Sequence, residues 1–245
     1  MRLLILAAGQ GKRIGSEAAG LPKVMRRALD RPLIDYVLSA TGFVEEKDVY
    51  VIVGFCKEAV MEAYPGLNYV VQEERKGTGH AVMCAADAFR DYDGDVMVIN
   101  GDMPLFKRSS LEAMCRAHRE SGAACTLGTC IAKGEIPPYG RIIRDEVGNV
   151  SAIVEQKDAT EEQRQIRELN VGVYIFDARS LFAALPKLKK SPVSGEYYIT
   201  DVPEYLARDG KVTRPFVLED EREAMGVNTA EDLAAVEDTL RKYGI

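Results

Sequence analysis

Leu3-Leu4-Ile5-Leu6-Ala7-Ala8-Gly9-Gln10-Gly11-Lys12-Arg13 lies at the head of a 245-residue chain, and most of its architecture can be argued from that passage. Four large apolar residues in a row, without alternation, suit a short strand buried on both faces of a parallel sheet. Glycines directly after such a strand let successive backbone N–H groups converge on an anion. Lys12 and Arg13, followed by Leu21-Pro22-Lys23, add positive charge to that loop. Two familiar phosphate loops are excluded by spacing: Ile14 stands where GxGxxG needs its third glycine, and no GxxxxGK[ST] run occurs. The passage is not a signal peptide either, because its apolar run is short and a charged loop follows with no cleavage-like segment.

Outward from this loop, the charge is uneven. Residues 1–31 carry seven basic and two acidic side chains, a balance of +5, so the rest of a chain with net charge −6 carries −11. A cationic segment on an acidic body suggests a small, multiply charged anion held at one place. The acidic total argues against a general nucleic-acid binder. No apolar run approaches the ~18 residues of a membrane span. The five cysteines form no CxxC pair and only two histidines are present, which disfavours a zinc site or a disulfide framework and fits a reducing cytoplasm.

Strand and helix patterns then alternate. Val49–Val53, Tyr69–Val71 and Asp95–Ile99 read as strands. Helices are expected from Pro32 to about Ala40, over Lys57–Tyr64, over Gly79–Arg90, and over Ser109–Glu120 from a serine cap. Such alternation means βαβ units and a parallel sheet covered on both faces. The second half reads as strands, Ala124–Ile131, Gly140–Ile143, Val150–Val154 and Val171–Phe176, with few helices between them. Thr229 caps a last helix to about Tyr243, with Asp232 three residues on. One domain over residues 1–245 is expected, with subdomains of about 1–122 and 123–245 sharing a core.

Other segments carry chemistry. In Gln72-Glu73-Glu74-Arg75-Lys76-Gly77-Thr78-Gly79-His80 a strand end meets a tight turn opening a helix, which frees backbone donors near the first loop. Gln72 can read a base edge through its amide, whereas His80 reads as a packed or hydrogen-bonded structural residue. Asn100-Gly101-Asp102-Met103-Pro104 places a carboxylate just past a buried strand, a good position for Mg²⁺ carried in by phosphates. Tyr139-Gly140-Arg141, Glu155, Asn170 with Gly172, Gly195–Asp201 and Gly226-Val227-Asn228 are weaker features, each compatible with a turn, salt bridge or cap.

Taken together, LAAGQGKR, LPKV, the Gln72–Ala81 segment, GDMPL, YGRI, IVEQKDATEEQRQI, GEYYITD and GVN make the chain resemble the sugar-nucleotidyltransferase superfamily. The closest likeness is to the uridyltransferase domain of the bacterial bifunctional N-acetylglucosamine-1-phosphate uridyltransferases. The motifs keep the family's order from Leu6 to Asn228, and the segment IVEQKDATEEQRQI is far more specific than the glycine loop. The resemblance implies an α/β fold: a three-layer α/β/α, Rossmann-like nucleotidyltransferase with a mixed, mostly parallel sheet and a strand-rich sugar-binding lobe.

It also implies roles for individual residues. Leu6, Ala7, Ala8, Gly9, Gln72, Gly77, Thr78, Asn100 and Gly101 would bind the nucleotide, and Arg13 and Lys23 would be catalytic along the phosphates. Asp102 and Asn228 would hold Mg²⁺, and Gly140, Glu155 and Asn170 the sugar. The implied reaction joins UTP and N-acetylglucosamine 1-phosphate into UDP-N-acetylglucosamine and pyrophosphate. Both substrates are small molecules, and neither nucleic acid nor membrane is a partner.

The chain departs from the family's usual pattern in four places. Lys12 stands for a usual Thr, Asn100 for a usual Tyr and Val171 for a usual Thr, and the span from Arg13 to Lys23 is a few residues longer. The hexapeptide repeats of the family's acetyltransferase β-helix are absent from this sequence. A natural stand-alone enzyme or a cut piece is therefore expected, a monomer or dimer without acetyl transfer. Rival readings are transfer to another sugar 1-phosphate (glucose or galactosamine) or to phosphocholine, a glycosyltransferase, and a non-catalytic UDP-sugar sensor.

Overall fold

A computed structural model describes residues 1–16 and 18–243. Glu17, in the long span between Arg13 and Lys23, lies outside the described residues, as do Gly244 and Ile245. In the first half the elements are β1 (Arg2–Leu6), a small hairpin of β2 (Arg27–Ala28) and β3 (Arg31–Pro32), α1 (Leu33–Ala40), β4 (Val49–Val53), α2 (Lys57–Ala63), β5 (Asn68–Val71), α3 (Thr78–Cys84), β6 (Asp95–Asn100) and α4 (Arg108–Ser121). The second half holds β7 (Cys125–Ile131), β8 (Arg141–Arg144), β9 (Val150–Val154), the single turn α5 (Glu161–Arg164), β10 (Glu168–Asp177), α6 (Ala178–Ala184), α7 (Val202–Arg208), β11 (Thr213–Val217) and α8 (Ala230–Tyr243).

The main sheet runs β11-β7-β10-β6-β1-β4-β5, with β8 and β9 attached beside β10. Its central pairings, β6 with β1, β1 with β4 and β4 with β5, are all parallel, as is β11 with β7. β10 runs against its neighbours β6 and β7, the attached β8 pairs antiparallel to β10, and β9 pairs antiparallel to β8. Alternate residues of β1 enter different cores, which makes three layers. Leu3 and Ile5 join Ile34 and Val37 of α1 and Leu111 and Met114 of α4. Leu4 joins Val82 of α3, Leu181 of α6 and Leu206 of α7 on the opposite face. A parallel strand buried on both sides needs apolar residues at every position, which is why Leu3–Leu6 does not alternate.

Several expected boundaries are revised. The helix expected over Gly79–Arg90 starts at Thr78, ends at Cys84 and tightens into a 3₁₀ turn at Ala86–Phe89. Ser109 does not cap α4, whose N-terminal flank is Lys107. The buried Glu223 carboxylate does that work from a distant loop, accepting from the Lys107 N–H at 2.8 Å and the Ser110 hydroxyl at 2.9 Å. The second half also holds more helix than expected, because α6 and α7 cover one face of β10 and β9. The strand β11 was unforeseen: Pro215 argues against a central strand, but β11 is the sheet's edge, where a missing N–H is tolerated.

The last helix begins as expected. Thr229 Oγ1 accepts from the Asp232 N–H at 3.1 Å, and Asp232 Oδ2 accepts from the N–H groups of Asn228 and Thr229 at 2.8 and 2.9 Å. From that cap α8 packs Val236 and Leu240 against Ile14, Leu33 and Val227. One small core thus ties the glycine loop to the segment carrying Asn228. Thr229→Ala removes half of the reciprocal cap and is expected to cost about 1 kcal/mol, checked by urea unfolding.

Candidate active site

Parallel pairing puts the carboxyl ends of β1, β4, β5 and β6 along one edge of the sheet. Leu6 lies beside Asn100 in the β1–β6 ladder, and the Gly101 N–H donates to the Leu6 carbonyl at 3.0 Å. A Cβ on Gly101 would lie 2.9 Å from Val24 and 3.0 Å from that carbonyl, so only glycine lets the turn carrying Asp102 pack this close to β1. A cleft of about 830 Å³ opens above this edge. Leu6, Ala8 and Gly9 line it from the first loop, Gln72, Gly77 and Thr78 from the β5–α3 turn, and Asn100 and Asp102 from the end of β6.

Lys23, Asp102 and Asn228 converge on one point. Lys23 Nζ donates to Asp102 Oδ2 and, at 2.8 Å, to Asn228 Oδ1. The backbone sets this meeting: the Val227 N–H donates to the Asp102 carbonyl at 3.0 Å, and the Lys23 N–H to the Gly9 carbonyl at 3.3 Å. Both side chains of the ion pair are largely buried. Two oxygens, one anionic and one amide, therefore face a single cation position. Hard oxygen donors of this kind, too few for a full cage, fit Mg²⁺ that keeps waters and binds substrate phosphates.

The two basic residues of the first loop part company. Lys12 lines the cleft, whereas Arg13, in the same 3₁₀ turn of Lys12–Ile14, is exposed and outside its lining. Across the cleft, the GEYYITD segment clasps the β5–α3 turn. The Gly79 N–H donates to the Tyr197 carbonyl at 2.8 Å, the Tyr197 N–H to the Lys76 carbonyl at 2.7 Å, and the Ile199 N–H to Thr78 Oγ1 at 3.1 Å. Gly77 has φ +101°, and a Cβ there would lie 2.3 Å from the Tyr197 carbonyl. Thus Thr78 spends its hydroxyl on the clasp as well as lining the cleft. Glu196 and Tyr198, which lie in the Gly195–Asp201 segment noted in the sequence but carry no individual role there, line the same wall.

The strand-rich lobe closes the far side. Glu155 lines the cleft at the end of β9 and accepts from the buried Thr200 hydroxyl at 2.9 Å. Gly140 and Asn170 sit behind this wall and are joined by an Asn170 N–H to Gly140 carbonyl bond of 2.8 Å. The Asn170 amide donates to the buried Tyr174 hydroxyl at 2.8 Å. Arg141, fully buried, points its guanidinium at the carbonyls of Pro137, Tyr139 and Arg164 and so fixes the loop before Gly140. Val171 is buried against Gly128 and away from the cleft lining. Ala7 and Gly101 are buried beneath the floor.

Comparison with known proteins agrees with this geometry. The nucleotidyl transferase family profile matches residues 2–239, and the chain belongs to that family. It is 42% identical over 240 residues to the bifunctional protein GlmU of Lactococcus lactis, covering 98% of this chain and 52% of that protein. Identity to the bifunctional protein GlmU of Aquifex aeolicus is 41% over 250 residues, 98% of this chain and 53% of the relative. The chain thus spans about half the length of the curated relatives it matches. A UDP-glucose pyrophosphorylase solved with UDP-glucose superposes with a TM-score of 0.77 at 19% identity, covering 99% of this chain and 98% of that one, which establishes the shared fold.

Acidic groups crowd behind Glu155. Burial pushes the Glu155 carboxyl up, against the Thr200 hydrogen bond. Burial, with the charges of Glu204, Glu155 and Asp158 adding to it, raises Asp201 to about 6. A carboxyl raised in the fold contributes stability that is fully present below its unfolded value near about 4 and is lost as pH rises through about 6. Asp201→Asn is therefore expected to be more stable than the parent at pH 8, with the advantage gone by pH 4. Solvent screening holds the gain to about 1 kcal/mol, and melting curves at the two pH values check it.

Proposed function

We propose that the chain transfers a uridylyl group, forming UDP-N-acetylglucosamine and pyrophosphate from UTP and N-acetylglucosamine 1-phosphate. The carrying observation is the convergence of Lys23, Asp102 and Asn228 at the carboxyl edge of the sheet, between the glycine loop and the Glu155 lobe. The extent of identity to the GlmU proteins supports the choice of nucleotide and sugar. The compartment we propose is the cytoplasm, supported by five free cysteines, three of them buried. Among the described residues no helix is long and apolar enough to cross a membrane.

A sugar phosphate is already an anionic nucleophile, so this chemistry needs neither a strong base nor a covalent intermediate. What it needs is two anions held in line and charge on the departing pyrophosphate stabilised. The backbone of the glycine loop and of the Gly77-Thr78 turn would cradle the nucleotide, with Lys12 adding charge. Lys23 would shift from its carboxylate and amide partners to phosphate oxygens. Asp102 and Asn228 would hold a divalent metal, which supplies charge neutralisation on the phosphates. Glu155 would accept hydroxyl hydrogen bonds from the sugar, with Asn170 and Gly140 shaping the pocket behind it. Arg13, exposed, would reach the phosphates only by swinging inward, so we give it a secondary role.

Incubation with mixed nucleoside triphosphates and sugar 1-phosphates, read by mass spectrometry, tests the assignment. UDP-N-acetylglucosamine is the expected product in the presence of Mg²⁺. A tenfold preference for glucose 1-phosphate, galactosamine 1-phosphate or phosphocholine would overturn the sugar while leaving the reaction type intact. Lys23→Ala and Asp102→Asn are each expected to lower turnover by about 10²–10³, the usual loss when one preorganised charge contact is removed. Added Mg²⁺ should partly rescue Asp102→Asn and not Lys23→Ala. A Lys23→Ala enzyme keeping more than about a third of turnover, a loss under about 1 kcal/mol, would remove Lys23 from the mechanism.

A further inference from the structure

Gln72, at the end of β5, is 3% exposed, and its backbone N–H donates to the Val53 carbonyl at 2.8 Å. Both hydrogens of its side-chain nitrogen are engaged. Nε2 lies 3.1 Å from the Gly77 carbonyl oxygen and 3.0 Å from His80 Nδ1. A carbonyl oxygen can only accept, so the Gly77 contact settles which end of the carboxamide is nitrogen. Given that, His80 Nδ1 can meet Nε2 only as a bare acceptor, and the ring carries its proton on its other nitrogen. The Cys84 thiol, one helical turn on and 3.9 Å from the same Nδ1, is a weak donor and agrees with that tautomer. A flipped carboxamide would instead press its oxygen against the Gly77 carbonyl, acceptor to acceptor.

The remaining polar atom of the side chain is Oε1. It has no protein partner among the described residues, and it is not one of the buried atoms left without a partner, so solvent reaches it. Gln72 lines the cleft, and with Nε2 engaged on both sides Oε1 is the polar side-chain atom it has left for a ligand.

We propose that His80 is a positioning residue for base selection: by holding Gln72 with its acceptor toward the cleft, it favours a pyrimidine that presents an N–H donor at that edge. Uracil has such a donor at N3, whereas cytosine has a lone pair there and would face Oε1 acceptor to acceptor. The inference rests on the reading that UTP occupies this cleft. It gives a task to a histidine that sequence alone leaves as structural.

Two measurements test it. The chain has only two histidines, so a long-range ¹H–¹⁵N spectrum of the imidazoles holds two patterns, and loss of one in His80→Asn assigns His80. At pH 8 the expected pattern is the tautomer with the proton on Nε2; a proton on Nδ1 overturns the proposal without any variant having to fold. Dissociation constants for UTP and CTP are then compared across the parent, His80→Leu and His80→Asn. Leu removes the acceptor, while Asn can return an oxygen near the place of Nδ1. The preference for UTP is expected to fall by about three- to tenfold in His80→Leu, since the Gly77 carbonyl still holds one hydrogen, and to stay within about twofold in His80→Asn. A preference unchanged in His80→Leu overturns the role of His80 alone. A parent protein that binds no pyrimidine triphosphate overturns the uridylyl reading, and this proposal with it.

Discussion

The parallel ladder between β1 and β6 is the constraint on which the site depends. It seats Leu6 beside Asn100, so the glycine loop and the Asp102 turn must leave the sheet at the same edge and height. β4 joins β1 in the same sense, and its continuation brings the Val53 carbonyl to the Gln72 N–H. The first loop and the β5–α3 turn thereby line one volume, with the Asp102 carboxylate on the same lining. In an antiparallel arrangement the same loops would alternate between the two edges, and no single cleft could collect them.

Charge is arranged on this frame with economy. The N-terminal segment is strongly basic, yet its most buried lysine is neutralised within the protein by Asp102 and by the amide oxygen of Asn228. Those partners come from positions 79 and 205 residues away in sequence. Lys12 and Arg13 stay near or in water, where like charges repel weakly. Burying an unpaired ammonium would be costly; burying one beside two oxygen acceptors is not. On the function proposed above, the ammonium would exchange these oxygens for those of a phosphate, without a state in which it is both buried and bare.

How much of this is legible in the sequence differs between the halves for a physical reason. Strands buried on both faces write themselves as uninterrupted apolar runs, so Leu3–Leu6, Val49–Val53 and Asp95–Ile99 can be read directly. The α/β class and the mixed sheet follow from them and from the family likeness. By contrast, α6 and α7 are only seven residues long, too short for a helical period to stand out. The strand β11 carries an arginine and a proline. The cap of α4 is supplied by Glu223, more than 100 residues on, and no local pattern announces it. For the site, Lys23, Asp102 and Asn228 are named by motif, and the fold brings them together. Motif matching also names Arg13, yet which of two neighbouring basic residues faces inward is set by the 3₁₀ turn around the buried Ile14.

The far wall of the cleft shows how the reversed strand β10 serves the site. β10 is ten residues long and pairs its second half with β6. Its first half extends past the end of β6 to meet β7 and β8. Between the two stretches the register slips, at Asn170 to Tyr174, where Gly172 takes a positive φ against the Asn100 side chain. A bulge there interrupts the β10–β7 ladder, and β8 pairs with β10 on the near side of that break, at Leu169. Glu155 at the end of β9 lines the cleft, and Thr200, at the foot of the segment clasping Gly77, donates to its carboxylate. Glu155 and the Gly77-Thr78 turn, on two walls of the cleft, are therefore tied through one short stretch, Tyr197 to Thr200, so a shift of either wall is felt by the other.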